Sequence, residues 1–331
     1  MRGKSLALLA MLLGGLVACE ELMAEVAHWV PEEAPPPARR PRRRTPPRVE
    51  PVQPMVPPSV GFAPQNTPIV PGALRMRVTF VDVGQGDSAL LESADGHAGL
   101  IDAGPPGGDE HLRALLAQRG VTRLDWMILT HPHLDHIGGA RNVMRAVTVG
   151  RVLDPAFAHP IATYDRLLAE IQLRAIPFAP ARQGQTLTLG NSIRLEILLP
   201  RMPFIERSRS EANANSVVVR ASAGNVRVLF TGDAESETET RLLAEQRGML
   251  SAQVLKVAHH GSRYASSPEF LQAVGAQSAV ISCAQGNDYG HPHAETVANL
   301  GQARMRVYRT DLNGDITMST DGSQVAFATS R

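Results

Sequence analysis

The chain has 331 residues, which is enough for one or two domains and a large apolar core. Its formal net charge is only +1, so overall charge argues neither for nor against a nucleic-acid partner. Aromatic residues make up 4% of the chain, which weakens the case for a surface that stacks on bases.

Residues 1–18 have the pattern of an export signal: a positively charged start is followed by the apolar stretch Leu6–Leu13, which is too short for a good membrane span. Residues 16–19 resemble a bacterial lipobox, in which the signal is cut before a cysteine that receives lipid. We therefore predict an exported protein held at the cell envelope, periplasmic or outer surface, through lipidated Cys19. An uncleaved membrane anchor is the alternative.

Residues 19–72 differ sharply in composition from the rest of the chain. Fourteen of the 25 prolines fall between residues 20 and 71, and proline at this density prevents helices and sheet ladders. We predict a disordered tether. Five of the six residues 39–44 are arginines, which is typical of a solvated linker or of a contact with anionic lipid, cell-wall polymer or nucleic acid.

A folded domain is predicted over residues 73–331, where short apolar segments alternate with amphipathic ones. The predicted strands are 75–83, 88–91, 100–101, 124–129, 147–153, 186–199 with a break at 190–191, 217–219, 226–230, 254–258 and 304–309, with a closing hairpin at 315–318 and 324–328. The predicted helices are 110–118, 140–147, 164–171 and 236–246.

The turn between the strand at 124–129 and the helix that follows contains His131, His133, Asp135 and His136. The side chains of alternate residues in an extended turn point the same way, so His131 and His133 are predicted to bind one metal ion. Asp135 and His136 follow at once and are predicted to hold a second metal. Imidazole nitrogen and carboxylate oxygen suit zinc, and also manganese or iron.

This pattern resembles the signature of the metallo-β-lactamase-fold hydrolases. Five further motifs follow the same order as in the soluble hydrolase domain of the ComEC competence proteins, at residues 81–88, 100–104, 229–234, 255–262 and 289–292. The resemblance covers residues 73–331. The alternation of strands and helices, run twice, fits an α/β (α+β) fold, a four-layer αββα sandwich with the site at one edge between two sheets.

The resemblance implies roles for carboxylates outside the metal turn. Asp102 is expected to support the metal turn by hydrogen bonds, and Asp87 either serves likewise or caps a turn. Asp233 follows an apolar strand beside a glycine and is expected to bridge two metals, with a helix cap as the alternative. Glu235 is expected to contact the leaving group or to cap the same helix.

For most of the other candidate histidines, the sequence leaves open whether each binds a metal ion or contacts the substrate. Neighbours in an extended chain point to opposite sides, so only one of His259 and His260 is expected to bind a metal. The other would contact a phosphate oxygen or protonate a leaving group, and the sequence leaves open which is which. His291 and Ser262 are expected to contact substrate, and His159 to contact substrate or a metal.

These assignments predict a metal-dependent hydrolase that uses two divalent ions, zinc first and manganese second, to activate a hydroxide nucleophile. Asp135, Asp233 and His259 are the expected catalytic residues. The first hypothesis is a lipid-anchored phosphodiesterase or nuclease, for which the resemblance implies DNA as substrate. The alternatives are a hydrolase of phosphorylcholine-type or other small esters, and a non-catalytic binding module of the envelope.

Overall fold

The computed structural model describes residues 74–331, so the predicted export signal, tether and lipidated Cys19 lie outside the described residues. Within them, two mixed β-sheets stack face to face, and helices cover both outer faces. The predicted four-layer αββα sandwich is confirmed. No helix within residues 74–331 is both long and apolar enough to cross a membrane.

The first sheet combines an antiparallel half with a parallel half. Its eight strands are, in spatial order, Val325–Thr329, Ile316–Thr320, Met76–Phe80, Ala89–Ser93, Ala98–Ile101, Trp126–Ile128, Val152–Asp154 and Phe178–Pro180. The last four strands run parallel to one another. The helices packed on its outer face are Asp109–Gln118, Ala140–Ala146 and Ala162–Leu173.

The second sheet is built in the same way. Its seven strands are, in spatial order, Arg306–Arg309, Ser278–Ile281, Val254–Lys256, Val226–Phe230, Val218–Ala223, Ile193–Leu199 and Thr186–Leu189. The first four run parallel to one another. The helices on its outer face are Ser236–Glu245, Pro268–Val274 and Ala294–Gln302.

Smaller elements connect these layers. A two-stranded parallel sheet pairs Arg123–Leu124 with Thr148–Val149. The short helices are Leu134–Ile137, Glu211–Ala214 and Thr310–Asn313, and the 3₁₀ helices are Arg247–Met249 and Ala258–Gly261. The single strand predicted over residues 147–153 is therefore wrong, because its two ends belong to different sheets.

Three apolar cores hold the layers together. Successive side chains of a strand point to opposite faces, so Leu91 packs between the sheets while Leu90 packs under the outer helices. The rings of Phe80 and Phe230 meet between the sheets, with centroids 5.9 Å apart. Because both faces of each sheet are covered, the parallel strands appear in the sequence as nearly continuous apolar runs.

Candidate metal centre

The metal turn begins where the strand Trp126–Ile128 ends. The predicted extended turn is correct only as far as His133, which is the N-cap of the short helix Leu134–Ile137. Asp135 and His136 therefore lie on a helical turn. A close approach of backbone explains the following Gly139, where a Cβ atom would lie 2.3 Å from the carbonyl oxygen of Ala103.

The carboxylate of Asp233 lies between two sets of histidines. Its Oδ1 is 3.2 Å from His136 Nε2 and 3.7 Å from His260 Nε2. Its Oδ2 is 3.6 Å from His131 Nε2, which in turn is 3.0 Å from His133 Nδ1. Each oxygen of one carboxylate thus faces a separate set of imidazole nitrogens.

Asp135 adds a second carboxylate to the first of these sets. Its Oδ2 lies 3.1 Å from His260 Nε2 and 3.9 Å from His136 Nε2. The ligand atoms of the four-donor group Asp135, His136, Asp233 and His260 all lie within 4.8 Å of one another, as do those of the three-donor group His131, His133 and Asp233. Two donor groups that share Asp233 provide room for two neighbouring cations.

The burial of these side chains supports a metal at this place. His131, His136, Asp233 and His260 are each at most 1% exposed. Nε2 of His136 and Oδ1 of Asp233 are buried and have no hydrogen-bond partner. An unsatisfied buried polar group costs about 1–3 kcal/mol, and a coordinated cation would remove that cost. The residues therefore fit a pair of divalent metals.

The carboxylates set the electrostatics of the pocket. Burial opposes the ionised form of Asp233, but the charges of His136 and His260 outweigh it and hold the pKa of this carboxyl well below its usual range. Burial also opposes protonation of His136, yet Asp233 and the neighbouring carboxylates raise its pKa well above the usual value. Burial opposes protonation of His260 too, but the neighbouring carboxylates, of which Asp233 has the largest effect, raise its pKa to about 10. The space between the carboxylates therefore favours positive charge.

Asp102 supports the metal turn from beneath, as the resemblance implied. Its carboxylate accepts hydrogen bonds from the Thr130 backbone N–H (2.7 Å) and hydroxyl (2.7 Å). It also lies 2.8 Å from Nδ1 of His136. When this Nδ1–H donates to Asp102, Nε2 of the ring faces the pocket with a free lone pair.

The two neighbouring histidines His259 and His260 are not in an extended chain. Both have left-handed backbone angles, with φ of 49° and 53°, so the expected alternation of their side chains rested on a wrong premise. His260 is buried, and its Nδ1 lies 2.9 Å from the Ser282 carbonyl oxygen to which it can donate. The side chain of His259 is 22% exposed, and its Nε2 lies 3.7 Å from Asp233 Oδ2. Of the two, only His260 belongs to a donor group.

Glu235 lies on the far side of His259. It is the N-cap residue of the helix Ser236–Glu245, but its side chain makes no capping hydrogen bond. Its Oε1 is instead 2.9 Å from His259 Nδ1, and both atoms are buried without a hydrogen bond. The carboxylate is thus close enough to stabilise positive charge on the imidazole.

His291 and His159 lie on opposite sides of the pocket. The ring of His291 is 5.4 Å from that of His259, and burial together with nearby histidines lowers its pKa to about 4. The ring of His159 is 5.2 Å from that of His133. Neither belongs to a donor group, so both are placed at the rim rather than among the metal donors.

Ser262 follows the histidine pair and is buried. It is 1% exposed, like several of the metal donors, and its Oγ accepts a weak hydrogen bond from the Tyr264 backbone N–H at 3.4 Å. The substrate contact expected of Ser262 stays a prediction.

Lys256 is a site neighbour that the sequence analysis missed. It is buried, and its Nζ lies 2.7 Å from Asp87 Oδ2. The other oxygen of Asp87 is 3.3 Å from His260 Nδ1. A lysine inside the apolar run 254–258 was the available signal, because a buried ammonium group needs a partner.

Comparisons with known proteins find sequence similarity to one superfamily and to several bacterial proteins. The model of the metallo-beta-lactamase superfamily matches residues 81–203. ComE operon protein 3 of Bacillus subtilis is 29% identical over 256 residues, which cover 72% of this chain and 32% of that protein. Competence protein ComA of Neisseria gonorrhoeae is 33% identical over 241 residues, covering 72% and 31%. The chain thus spans about a third of the length of these curated relatives.

A diphosphatase from the PhnP family is among the similar solved structures. It has a TM-score of 0.43 and 16% sequence identity, and the match covers 74% of this chain and 98% of that one.

Proposed function

The chain belongs to the metallo-β-lactamase superfamily, whose members are metal-dependent hydrolases, and from this premise we propose that it is a phosphodiesterase of the nuclease type. The observation that carries the proposal is the position of Asp233, whose two oxygens face separate groups of metal donors. Two cations held side by side match the two oxygens, attacking and leaving, of an in-line phosphoryl displacement.

The metal assignment follows the two donor groups. One ion would be held by His131, His133 and Asp233, and the other by Asp135, His136, Asp233 and His260. Zinc is the first expectation and manganese the second, because both accept imidazole and carboxylate ligands. When bound, two divalent ions lower the pKa of water towards neutrality and offset the charge of a phosphoryl group.

The remaining pocket residues would handle the substrate. Glu235 Oε1 lies beside Nδ1 of His259 and would stabilise the imidazolium form of this ring, whose Nε2–H at the pocket edge would donate a proton to the leaving oxygen. His291 is neutral above a pH of about 4 and can hydrogen-bond a phosphoryl oxygen from the rim. His159, beside His133, would contact the substrate on the other side.

Nucleic acid is the substrate class that the relatives favour, since two of them are competence proteins. A net charge of +1 supplies no overall attraction to a polyanion, so affinity must come from local positive charge, in the pocket or in the arginines of residues 39–44. The alternative is hydrolysis of a small ester of the envelope, such as a phosphorylcholine-type diester.

The test compares three substrates on the protein loaded with zinc or manganese: bis(p-nitrophenyl) phosphate, single-stranded DNA and nitrocefin. We expect phosphodiester cleavage that is lost in Asp233→Asn. It should be retained in Asp288→Asn, a matched change at an exposed carboxylate on the loop that contains His291. Cleavage of bis(p-nitrophenyl) phosphate without DNA cleavage would favour a small-diester hydrolase. If the protein with metal bound hydrolyses none of the three substrates, the proposal is overturned and a binding module is favoured.

The location of the protein is proposed from residues 1–19 alone. We propose export and lipid anchoring at Cys19. Replacement Cys19→Ala should release the protein from the membrane fraction and abolish labelling by radioactive palmitate. Unchanged membrane association of the variant would favour an uncleaved anchor.

A further inference from the structure

A buried ion pair joins the two sheets at the base of the pocket. Lys256 ends the strand Val254–Lys256 of the second sheet and is 4% exposed. Its Nζ lies 2.7 Å from Asp87 Oδ2 and donates to the carbonyl oxygen of Val257 at 2.9 Å. Asp87 belongs to the loop between the strands Met76–Phe80 and Ala89–Ser93 of the other sheet and is also buried. Two buried charges at this distance depend on each other, since removal of one leaves the other unpaired.

Asp87 reaches two of the metal donors directly. Its Oδ1 lies 3.3 Å from Nδ1 of His260 as a close charged neighbour without a hydrogen bond, because Nδ1 is paired with the Ser282 carbonyl oxygen. Its backbone N–H donates to the carbonyl oxygen of Asp135 at 3.1 Å. The neighbouring Gly86 fits tightly here, because a Cβ atom would lie 2.3 Å from the same carbonyl oxygen. The Asp87 loop therefore connects His260 on the second sheet with Asp135 on the metal turn.

The ring of His260 is held by its Nδ1 edge. Nδ1 lies 2.9 Å from the carbonyl oxygen of Ser282 and faces Asp87, so Nε2 is the nitrogen that faces Asp233. A carboxylate that lost its ammonium partner would be an uncompensated buried charge beside this ring. It would turn towards other polar groups, and the Nδ1 edge of the imidazole would lose a neighbour that helps to hold the ring in place.

We propose that Lys256 is a positioning residue of the metal pocket, acting through Asp87 to fix the His260 ring with Nε2 towards the donor group. The inference rests on the metal assignment proposed above. Lys256 itself contacts neither metal nor substrate. Its effect is on the affinity with which the four-donor group holds its ion.

The experiment measures the zinc dissociation constants of the full-length protein by competition with a chromophoric chelator. In Lys256→Met we expect the four-donor site to bind zinc about 10–100-fold more weakly, the usual effect of losing an outer support of a metal ligand. Lys256→Arg keeps the charge and should lose less. The double variant Asp87→Asn/Lys256→Met should bind zinc no more weakly than Asp87→Asn alone, because Lys256 acts only through Asp87.

A matched control removes a similar ion pair away from the pocket. Arg220 lies 2.5 Å from Glu196 on the same sheet, and their side chains are 10% and 18% exposed. Arg220→Met should lower the melting temperature and leave zinc affinity unchanged. A purely structural Lys256 would behave in the same way.

The outcomes separate this inference from the proposed function. Wild-type affinity in Lys256→Met, or additive losses in the double variant, overturns the role of Lys256 and leaves the metal assignment intact. Failure of the wild-type protein to bind zinc or manganese overturns both. If Lys256→Met does not fold, Lys256→Arg and the double variant, which leaves no unpaired charge, supply the comparison.

Discussion

The two halves of the pocket are built in different ways. The half from the first sheet is local, because His131, His133, Asp135 and His136 follow one another within six residues. The half from the second sheet takes Asp233 from one strand end and His260 from the next. A local half can be recognised from spacing alone. A half assembled by sheet stacking depends on partners that are distant in the sequence.

Among the variants that test this comparison, substitution of His259 or of His260 should have the largest effect on activity. Both His260→Gln and His259→Gln should lower kcat, the latter by about 10²–10⁴-fold, the usual range for a general acid. Only His260→Gln should also lower the metal content, because His259 lies outside the donor groups. Metal analysis alongside steady-state kinetics checks both.

The opposite pattern would reverse the assignment of the two rings. Metal loss in His259→Gln with full metal in His260→Gln would show that the left-handed turn presents His259 as the ligand.

Removal of the carboxylate that supports the metal turn in the local half should have a smaller effect, on metal affinity. Asp102→Asn removes the carboxylate that accepts from Thr130 and His136, and metal affinity should fall about 10–100-fold. The loss should exceed that in Asp109→Asn, a matched change at a buried carboxylate of the first outer helix. Chelator competition measures both variants. Equal affinities in the two would mean that Asp102 is not needed to orient His136.

A carboxylate outside both halves should affect stability alone. Burial raises the pKa of Glu239 to about 7, although the Ser266 and Ser267 backbone N–H groups donate to it. An unfolded glutamate titrates near about 4.3, so between these values the folded protein binds a proton that the unfolded chain does not. The free energy of unfolding should therefore fall as pH rises through this window, by about 3–4 kcal/mol.

Glu239→Gln should flatten that part of the stability profile, measured by urea unfolding from pH 4.5 to 8. Glu237→Gln on the same helix is partly exposed and serves as the control. A profile for Glu239→Gln that keeps the wild-type slope would contradict the account.

Much of the fold could be predicted because the strands are buried on both faces. The break at 190–191 and the closing hairpin are confirmed by strands at Ile193–Leu199, Ile316–Thr320 and Val325–Thr329. The helix Pro268–Val274 was missed, although Ser267 caps it and Pro268 opens it, a recognisable start signal. The helix Ala294–Gln302 was missed as well, because the histidine-rich loop before it carried no cap of that kind.

The site could be predicted only as far as local geometry reached. Periodicity and motif order brought His131 to His136 and Asp233 together, but they assumed an extended chain at His259 and His260. Positive φ at two consecutive non-glycine residues is set by the surrounding packing, which no local pattern reports. The pairing of Lys256 with Asp87 likewise exists only once the sheets have stacked.

The most direct test of the central claim is the metal content of the full-length protein, loaded with zinc and dialysed, measured beside Asp233→Asn. We expect two ions per chain in the wild type and at most one in the variant, because a single carboxylate serves both donor groups. Two ions in both proteins, or one in both, would contradict the claim that Asp233 joins the halves of the pocket.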